Sequence, residues 1–145
     1  MKRDTQRSKV YGWERQFHSI TSQEMKLDEC AALANKVSKH FKMREVRIRD
    51  GRGTRCAYSY GGSIGLPKWA RQPVVVLHEM AHEVHRKVGR VRQAVHGREF
   101  VGIHMYLLVK FAGFDISELT KSANESGVDF VSMATVREYV RKARR

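Results

Sequence analysis

The sequence predicts an α+β fold in one domain spanning residues 1–145, with basic ends at 1–9 and 141–145 that we expect to be flexible. Apolar residues recur at helical spacing early in the chain, alternate with charged residues in its middle, and return to helical spacing in its second half. This order of helix, small sheet and further helices is typical of α+β proteins. The 145 residues, 41% of them hydrophobic, can bury one core, and no repeat or linker divides them.

The first helix is predicted from a capping motif. In Thr21-Ser22-Gln23-Glu24 a hydroxyl residue is followed three positions later by a glutamate. The apolar positions after it recur every three or four residues as far as Phe41. The preceding residues, 1–20, match no element, and their apolar members are expected to cover part of the core: Val10, Tyr11, Trp13 and Phe17.

Three short strands are predicted next. Val46 and Ile48 alternate with charged residues, as in a half-exposed strand. Residues 56–60 and 64–66 supply two more strands, and residues 50–53 have the composition of a turn. We expect a small antiparallel or mixed sheet packed on the helix that follows.

Two apolar helices are predicted in the second half of the chain. The first spans about 73–88, because Pro73 suits the first turn of a helix. Its first residues, 74–77, are apolar on all sides, which predicts a buried helix. The second apolar helix spans about 97–112.

The C-terminal part is predicted to add two shorter helices. Asp115 can cap one that ends at Gly127, and Ser132 can cap a basic helix over 133–145. The brief segment 128–131 connects them.

The segment VVVLHEMAHEVH, residues 74–85, contains two histidines at helical spacing. His78 and His82 are four residues apart, which places them about 40° apart around a helix and about 6 Å apart along it. Both imidazoles can therefore bind one ion. Glu79 lies about 100° away from His78, beside the ion, where a general base can take a proton from water that the ion activates. The pattern predicts a zinc site with Glu79 as the catalytic base.

A catalytic zinc ion needs a third protein ligand and an open fourth position. We expect this ligand to be His96, because the apolar helix after it should pack on the helix of His78 and His82. Glu99 is the alternative, and it would give a site of two histidines and one carboxylate. His85 is about 10 Å from His78 along the helix, too far to bind the same ion.

Other candidate side chains have no assigned role. His104, two turns beyond His96, is expected to pack or to line the cleft. A donor that stabilises an oxyanion is also needed. Tyr58, Tyr60 and Tyr106 are candidates, and packing accounts for each of them at least as well.

The formal net charge of +13 is spread along the whole chain. Such a surface attracts polyanions, nucleic acid first among them, although dispersed charge also fits a basic protein without that partner. No apolar run is long enough to predict a membrane span, and the polar N-terminus predicts no secretion signal. Cys30 and Cys56 are expected to be small core residues in a reduced, cytoplasmic setting.

The segment HEMAH, followed after a loop by HGREF at residues 96–100, resembles the motif of the SprT-like zinc metalloproteases, which include the Spartan proteases. The preceding CAYSYGGSIGLPKWA is similar to the short strands ahead of their active-site helix. Most of the chain also resembles small metallohydrolases of actinobacteria and their phages. This second likeness rests on VYGWE at 10–14, IGLPKWA, HGREF, and GVDF at 127–130, where that family has a late strand.

The resemblance implies His78, His82 and His96 as zinc ligands and Glu79 as the catalytic base. It implies a compact zincin-like fold with a small sheet beside the active-site helix, and the host cytoplasm as the location of a phage-encoded protein. SprT-like proteins often carry a C-terminal zinc ribbon of four cysteines, whereas this chain has two cysteines in all. Any recruitment to DNA would therefore fall to its basic surface.

Two functions follow as hypotheses. The first is a zinc-dependent hydrolase, in its simplest form a metallopeptidase that cleaves a protein or peptide, including one bound to nucleic acid. The second is a basic nucleic-acid-binding or regulatory protein whose metal site is mainly structural. The sequence leaves open the substrate, the cleavage preference, the oligomeric state and the metal, because imidazole also binds other first-row ions.

Overall fold

A computed structural model describes residues 3–18, 24–89 and 93–145 of the chain. Over these residues it contains six α-helices, one three-stranded sheet and a short 3-10 helix at Lys68–Ala70, which confirms the predicted α+β class. In chain order the elements are α1 (Arg7–His18), α2 (Leu27–His40), β1 (Arg47–Asp50), β2 (Tyr58–Tyr60), β3 (Ser63–Leu66), α3 (Pro73–Val88), α4 (Arg98–Ala112), α5 (Ile116–Glu125) and α6 (Met133–Ala143).

The sheet is mixed and has the order β1-β3-β2. The central strand β3 pairs parallel with β1 and antiparallel with β2, so that Ile64 lies opposite both Ile48 and Ser59. Ile64 and Leu66 of β3 are fully buried. Because α2 packs on β1 and α3 contacts β2, the sheet lies beside the apolar helix α3.

Helices α3 and α4 pack against each other and form the centre of the core. Every residue of α3 from Val74 to Val84 is buried, as its apolar beginning predicted. Helix α4 is buried over most of its length, and its end is set by Gly113, which adopts a left-handed conformation with φ of 73°. The predicted bounds of both apolar helices are confirmed to within one residue.

Helix α1 forms where the sequence predicted no element. Its residues Val10, Trp13 and Phe17 are buried in the core, as expected, at a spacing of three and four that places them on one helical face. The indole Nε1 of Trp13 donates to Ser122 Oγ at 2.9 Å, which ties α1 to α5.

The predicted start of α2 is wrong. Residues 21–23 of the capping motif lie outside the described residues, and Glu24 is not helical, because the helix begins at Leu27. Glu29 takes the role expected of Glu24: its carboxylate accepts the backbone N–H of Lys26, the residue before the helix, at 3.1 Å.

Two smaller expectations are also corrected. Residues 127–130, where the resemblance implies a late strand, form no strand, and the segment is held instead by single hydrogen bonds, such as Val128 N–H to Ala123 O at 2.8 Å. Cys30 is buried, and burial raises the pKa of its thiol to about 11, but Cys56 is exposed. No helix in the described parts of the chain is long and apolar enough to cross a membrane.

Two glycines inside helices should respond oppositely to alanine. At Gly102 in α4 an added Cβ would meet the backbone oxygen of Val131 at 2.9 Å, whereas at Gly12 in α1 it would meet only the Arg15 side chain at 3.7 Å. We expect Gly102→Ala to lower the free energy of unfolding by about 1–2 kcal/mol through overpacking. Gly12→Ala should raise it by about 0.5–1 kcal/mol through helix propensity. Urea denaturation tests both, and a Gly102→Ala protein as stable as Gly12→Ala would contradict the packing described.

Candidate metal centre

Three imidazole side chains meet at one point between α3 and the start of α4. His78, His82 and His96 are all buried, and one ligand atom from each lies within 4.8 Å of the others. His78 and His82 project from the same face of α3, as their four-residue spacing requires. Their Nε2 atoms are 3.2 Å apart. Two nitrogens bound tetrahedrally to one zinc ion would be about 3.3 Å apart, so the spacing fits such an ion.

His96 is held in place by the N-terminal segment. Asp4 Oδ2 lies 2.8 Å from its Nδ1 atom, and Gln6 Nε2 donates to its backbone oxygen at 2.9 Å. The remaining ring nitrogen, Nε2, is buried and has no hydrogen-bond partner among the described residues. A buried nitrogen without a partner is costly unless it binds something, and an ion shared with His78 and His82 meets that need.

His78 is oriented by a buried carboxylate. Glu14 Oε1 lies 2.5 Å from His78 Nδ1, and only 4% of Glu14 is exposed. The same oxygen lies 2.9 Å from Nδ1 of the fully buried His104. A carboxylate on Nδ1 holds the proton there and leaves Nε2 free to bind a metal, as Asp4 does for His96.

The charge states of Glu14, His82 and His96 suit a metal. At His78, burial lowers the pKa, but the carboxylate of Glu14 outweighs burial and raises that pKa. Burial alone would raise the pKa of Glu14, but the neighbouring His78 and His104 outweigh it and lower that pKa well below its usual range. Burial lowers the pKa of His82 and of His96, so that both rings are neutral at pH 7. Neutral imidazoles are the form that ligates metal ions.

Glu79 lies beside the three histidines and not among them. Its Oε1 is 4.0 Å from His78 Nε2, and the residue is 7% exposed. Burial raises the pKa of Glu79, which brings the carboxylate closer to the basicity that proton transfer near neutral pH requires. Its position matches the one predicted from the helix geometry.

A cavity of about 460 Å³ opens onto His78 and Glu79. One wall is a face of α1, and a second wall comes from the segment before β2, the 3-10 helix and the first turn of α3. The α1 wall consists of Arg7, Tyr11, Arg15 and His18, and the second wall consists of Cys56, Ala57, Trp69 and Val75.

Tyr11 is a site residue that the sequence analysis assigned only to the core. Its ring stacks on His78 with 5.5 Å between centroids and lies 5.2 Å from the ring of His96. Burial raises the pKa of Tyr11, so its hydroxyl stays protonated and can donate a hydrogen bond. A prediction of α1 could have found it. Tyr11 lies about one helical turn from Glu14, next to the face that carries the apolar residues of the helix.

The tyrosines considered for oxyanion stabilisation lie elsewhere. None of Tyr58, Tyr60 and Tyr106 is among the residues that line the cavity. Tyr58 covers Gly65 on the sheet, and Tyr60 is 82% exposed. The hydroxyl of Tyr106 lies 2.7 Å from His40 Nε2.

The remaining candidates are placed outside the group of three histidines. Glu99, the alternative ligand, accepts a hydrogen bond from the hydroxyl of Tyr139 at 2.6 Å, and its other oxygen lies 3.6 Å from His85 Nε2. His85 therefore stays away from His78, as expected. His104 packs in the core, and its Nε2 lies 3.3 Å from the backbone oxygen of Val74.

Comparison of the chain with family models, with curated proteins and with solved structures found no match.

Removal of His96 tests the three-ligand arrangement. We expect the purified protein to bind one zinc ion per chain and the His96→Ala variant to lose most of that affinity, because two imidazoles and water remain. His85→Ala is the matched control, because it removes a histidine of α3 that lies outside the group of three. This variant should still bind one zinc ion per chain. Elemental analysis with competition against a chelator measures both. Unchanged zinc affinity in His96→Ala would move the third ligand elsewhere.

We expect Asp4 to affect the affinity for zinc through its contact with His96, without binding the ion itself. Asp4→Asn keeps the shape of the side chain but weakens the hold on Nδ1 of His96, so we expect zinc affinity to fall about 10- to 100-fold. Asp129→Asn, which changes an exposed carboxylate on a loop, should leave affinity unchanged. Equal affinities of the two variants, measured by the same chelator competition, would show that the Asp4 contact does not orient the ligand.

Proposed function

We propose that this chain is a zinc-dependent hydrolase, and specifically a metallopeptidase. The observation that carries the proposal is the convergence of three buried imidazoles, one with an unpartnered Nε2, beside the carboxylate of Glu79 at the floor of an open cavity. A purely structural zinc site is closed by four protein ligands, whereas three ligands leave a position for water. The access from the cavity to His78 and Glu79 favours chemistry over a structural role.

The residues of the chain would divide the work of hydrolysis. When bound, zinc supplies a Lewis acid that polarises a water molecule and the carbonyl of the substrate. Glu79 takes the proton of the attacking water on its carboxylate and returns it to the nitrogen that leaves. Glu14 and Asp4 keep the rings of His78 and His96 in the orientation that the ion requires.

Tyr11 would stabilise the oxygen that becomes negative as the carbonyl is attacked. Its ring lies against both His78 and His96, which brings the side chain to the mouth of the centre. A protonated hydroxyl aimed at developing charge contributes to catalysis without being consumed.

A zincin-like arrangement and a relation to the SprT-like proteases belong to the same proposal. The support is local: α3 carries two of the histidines and Glu79, the third histidine precedes the next helix, and a small mixed sheet lies beside α3. Whether the substrate is bound to nucleic acid remains part of the hypothesis. The alternative function in nucleic-acid binding has the net charge of +13 as its support.

Glu79→Gln tests the role of the base. The amide keeps the size of the side chain but cannot accept the proton, so we expect kcat to fall about 10²- to 10⁴-fold with zinc content unchanged. Glu83→Gln, one turn later on α3, is the control, since Glu83 is bound by Ser59 and Arg86 and does not line the cavity. The measurement is cleavage of a peptide mixture by the zinc-loaded protein, followed by mass spectrometry. Full activity in Glu79→Gln would refute the mechanism.

Tyr11→Phe tests the role of the phenol separately. The ring contacts with both histidines persist, so zinc affinity should stay constant while kcat falls about 10²-fold through loss of one donor. A parallel loss of zinc affinity, seen in chelator competition, would instead assign Tyr11 to the support of the ligands.

A further inference from the structure

The cavity has two walls of different chemistry. Arg7, Tyr11 and Arg15 follow one another at four-residue intervals on α1 and form one stripe along its edge. The second wall is apolar and includes Trp69, which is 54% exposed. The indole Nε1 of Trp69 donates to the backbone oxygen of Arg55 at 2.8 Å, which fixes the ring while leaving much of it open.

The two arginines of the stripe are exposed, and within the described parts of the chain no carboxylate lies within 4.0 Å of either guanidinium. Arg7 lies over the ring of Tyr11, 5.7 Å from its centroid. The acidic residues of the cavity, Glu14 and Glu79, are buried at its floor. The rim of the cavity is therefore cationic, and no ion pair among the described residues neutralises Arg7 or Arg15.

The spacing of the two arginines in the stripe determines how far apart two bound carboxylates would lie. Arg7 and Arg15 are eight residues apart on α1, or about 12 Å along the axis. Tyr11, midway between them, lies against His78 and His96 and so marks the place of the reacting bond. An extended peptide advances about 3.3 Å per residue, so about 12 Å corresponds to four residues.

We propose that the cavity selects an acidic peptide segment in which two carboxylate side chains, about four residues apart, flank the bond to be cleaved and bind Arg7 and Arg15, while an apolar side chain between them packs on Trp69. This inference rests on the proposed function for the cleavage, but the binding preference stands on the two walls alone. Charged partners at a rim chiefly set specificity and rate of association, which is how this stripe would act.

Binding is measured with the zinc-loaded Glu79→Gln protein, so that no probe is consumed. The probes are acetylated and amidated pentapeptides: Glu-Ala-Leu-Ala-Glu, its neutral counterpart Gln-Ala-Leu-Ala-Gln, and Glu-Glu-Ala-Leu-Ala, which has the same charge at a different spacing. Tryptophan fluorescence reports binding, since Trp13 is fully buried and Trp69 lies in the cavity wall.

We expect the spaced acidic peptide to bind about 25-fold more tightly than the neutral one, from two exposed ion pairs at about fivefold each. The peptide with adjacent glutamates should be about fivefold weaker than the spaced one, because it engages one arginine at a time. Added salt should reduce these differences.

Arg15→Gln is the decisive variant, because Arg7 also contacts Tyr11. Arg15→Gln should lower the affinity for the spaced acidic peptide about fivefold and leave the affinity for the neutral peptide unchanged. Arg137→Gln removes an equally exposed arginine on α6, away from the cavity, and should leave both affinities unchanged. Equal binding of acidic and neutral peptides, or equal losses in the two arginine variants, would overturn the inference.

The outcomes separate the inference from the proposed function. Binding that prefers the spaced acidic peptide, in a wild-type protein that cleaves no peptide, supports the inference and refutes the peptidase. Cleavage that depends on Glu79 but ignores acidic residues refutes the inference and supports the peptidase. A single-stranded oligonucleotide that binds more tightly than the acidic peptide, and weakens on Arg15→Gln, would assign the cationic stripe to nucleic acid and overturn the inference.

Discussion

The contact between Glu14 of α1 and His78 of α3 is the interaction on which the candidate site depends. It joins two helices that are far apart in sequence, at 2.5 Å, in a place where only about one twentieth of either residue is exposed. It determines which nitrogen of His78 is free, and it fixes α1 as a wall of the cavity. An ionised carboxylate in such a place is tolerated because two histidines surround it.

Under the proposed function, the folded state and the ion stabilise each other. The centre gathers buried groups that water would otherwise solvate, and their desolvation opposes folding. An ion that binds only the assembled histidines stabilises the folded state by an amount that grows with the logarithm of its concentration over its dissociation constant. The Asp4 contact extends this coupling to the residues before α1, because His96 is held from there.

Local sequence was enough to predict α3 and to place His78 and His82 on one of its faces, and not enough to predict α1. Pro73, the apolar run and the His78–His82 spacing all act within one helix. His96 followed from the packing expected of α4. The contact of Glu14 with His78 could not be predicted, because it forms only when α1 packs on α3. Helix α1 itself was not predicted because it has neither an acidic first turn nor a capping residue. The apolar spacing of Val10, Trp13 and Phe17 was the available signal for that helix.

Helix α1 also has three different contacts on three adjacent faces. Its buried residues anchor it to the core, Glu14 reaches the centre, and the next face holds the stripe of Arg7, Tyr11 and Arg15. Each residue turns a helix by about 100°. Insertion or loss of a single residue before Glu14 would therefore turn every earlier position of α1 onto another face. Substitutions can change these side chains one at a time. An insertion or deletion inside the helix, in contrast, would displace the buried residues, Glu14 and the cavity-lining stripe relative to one another at once.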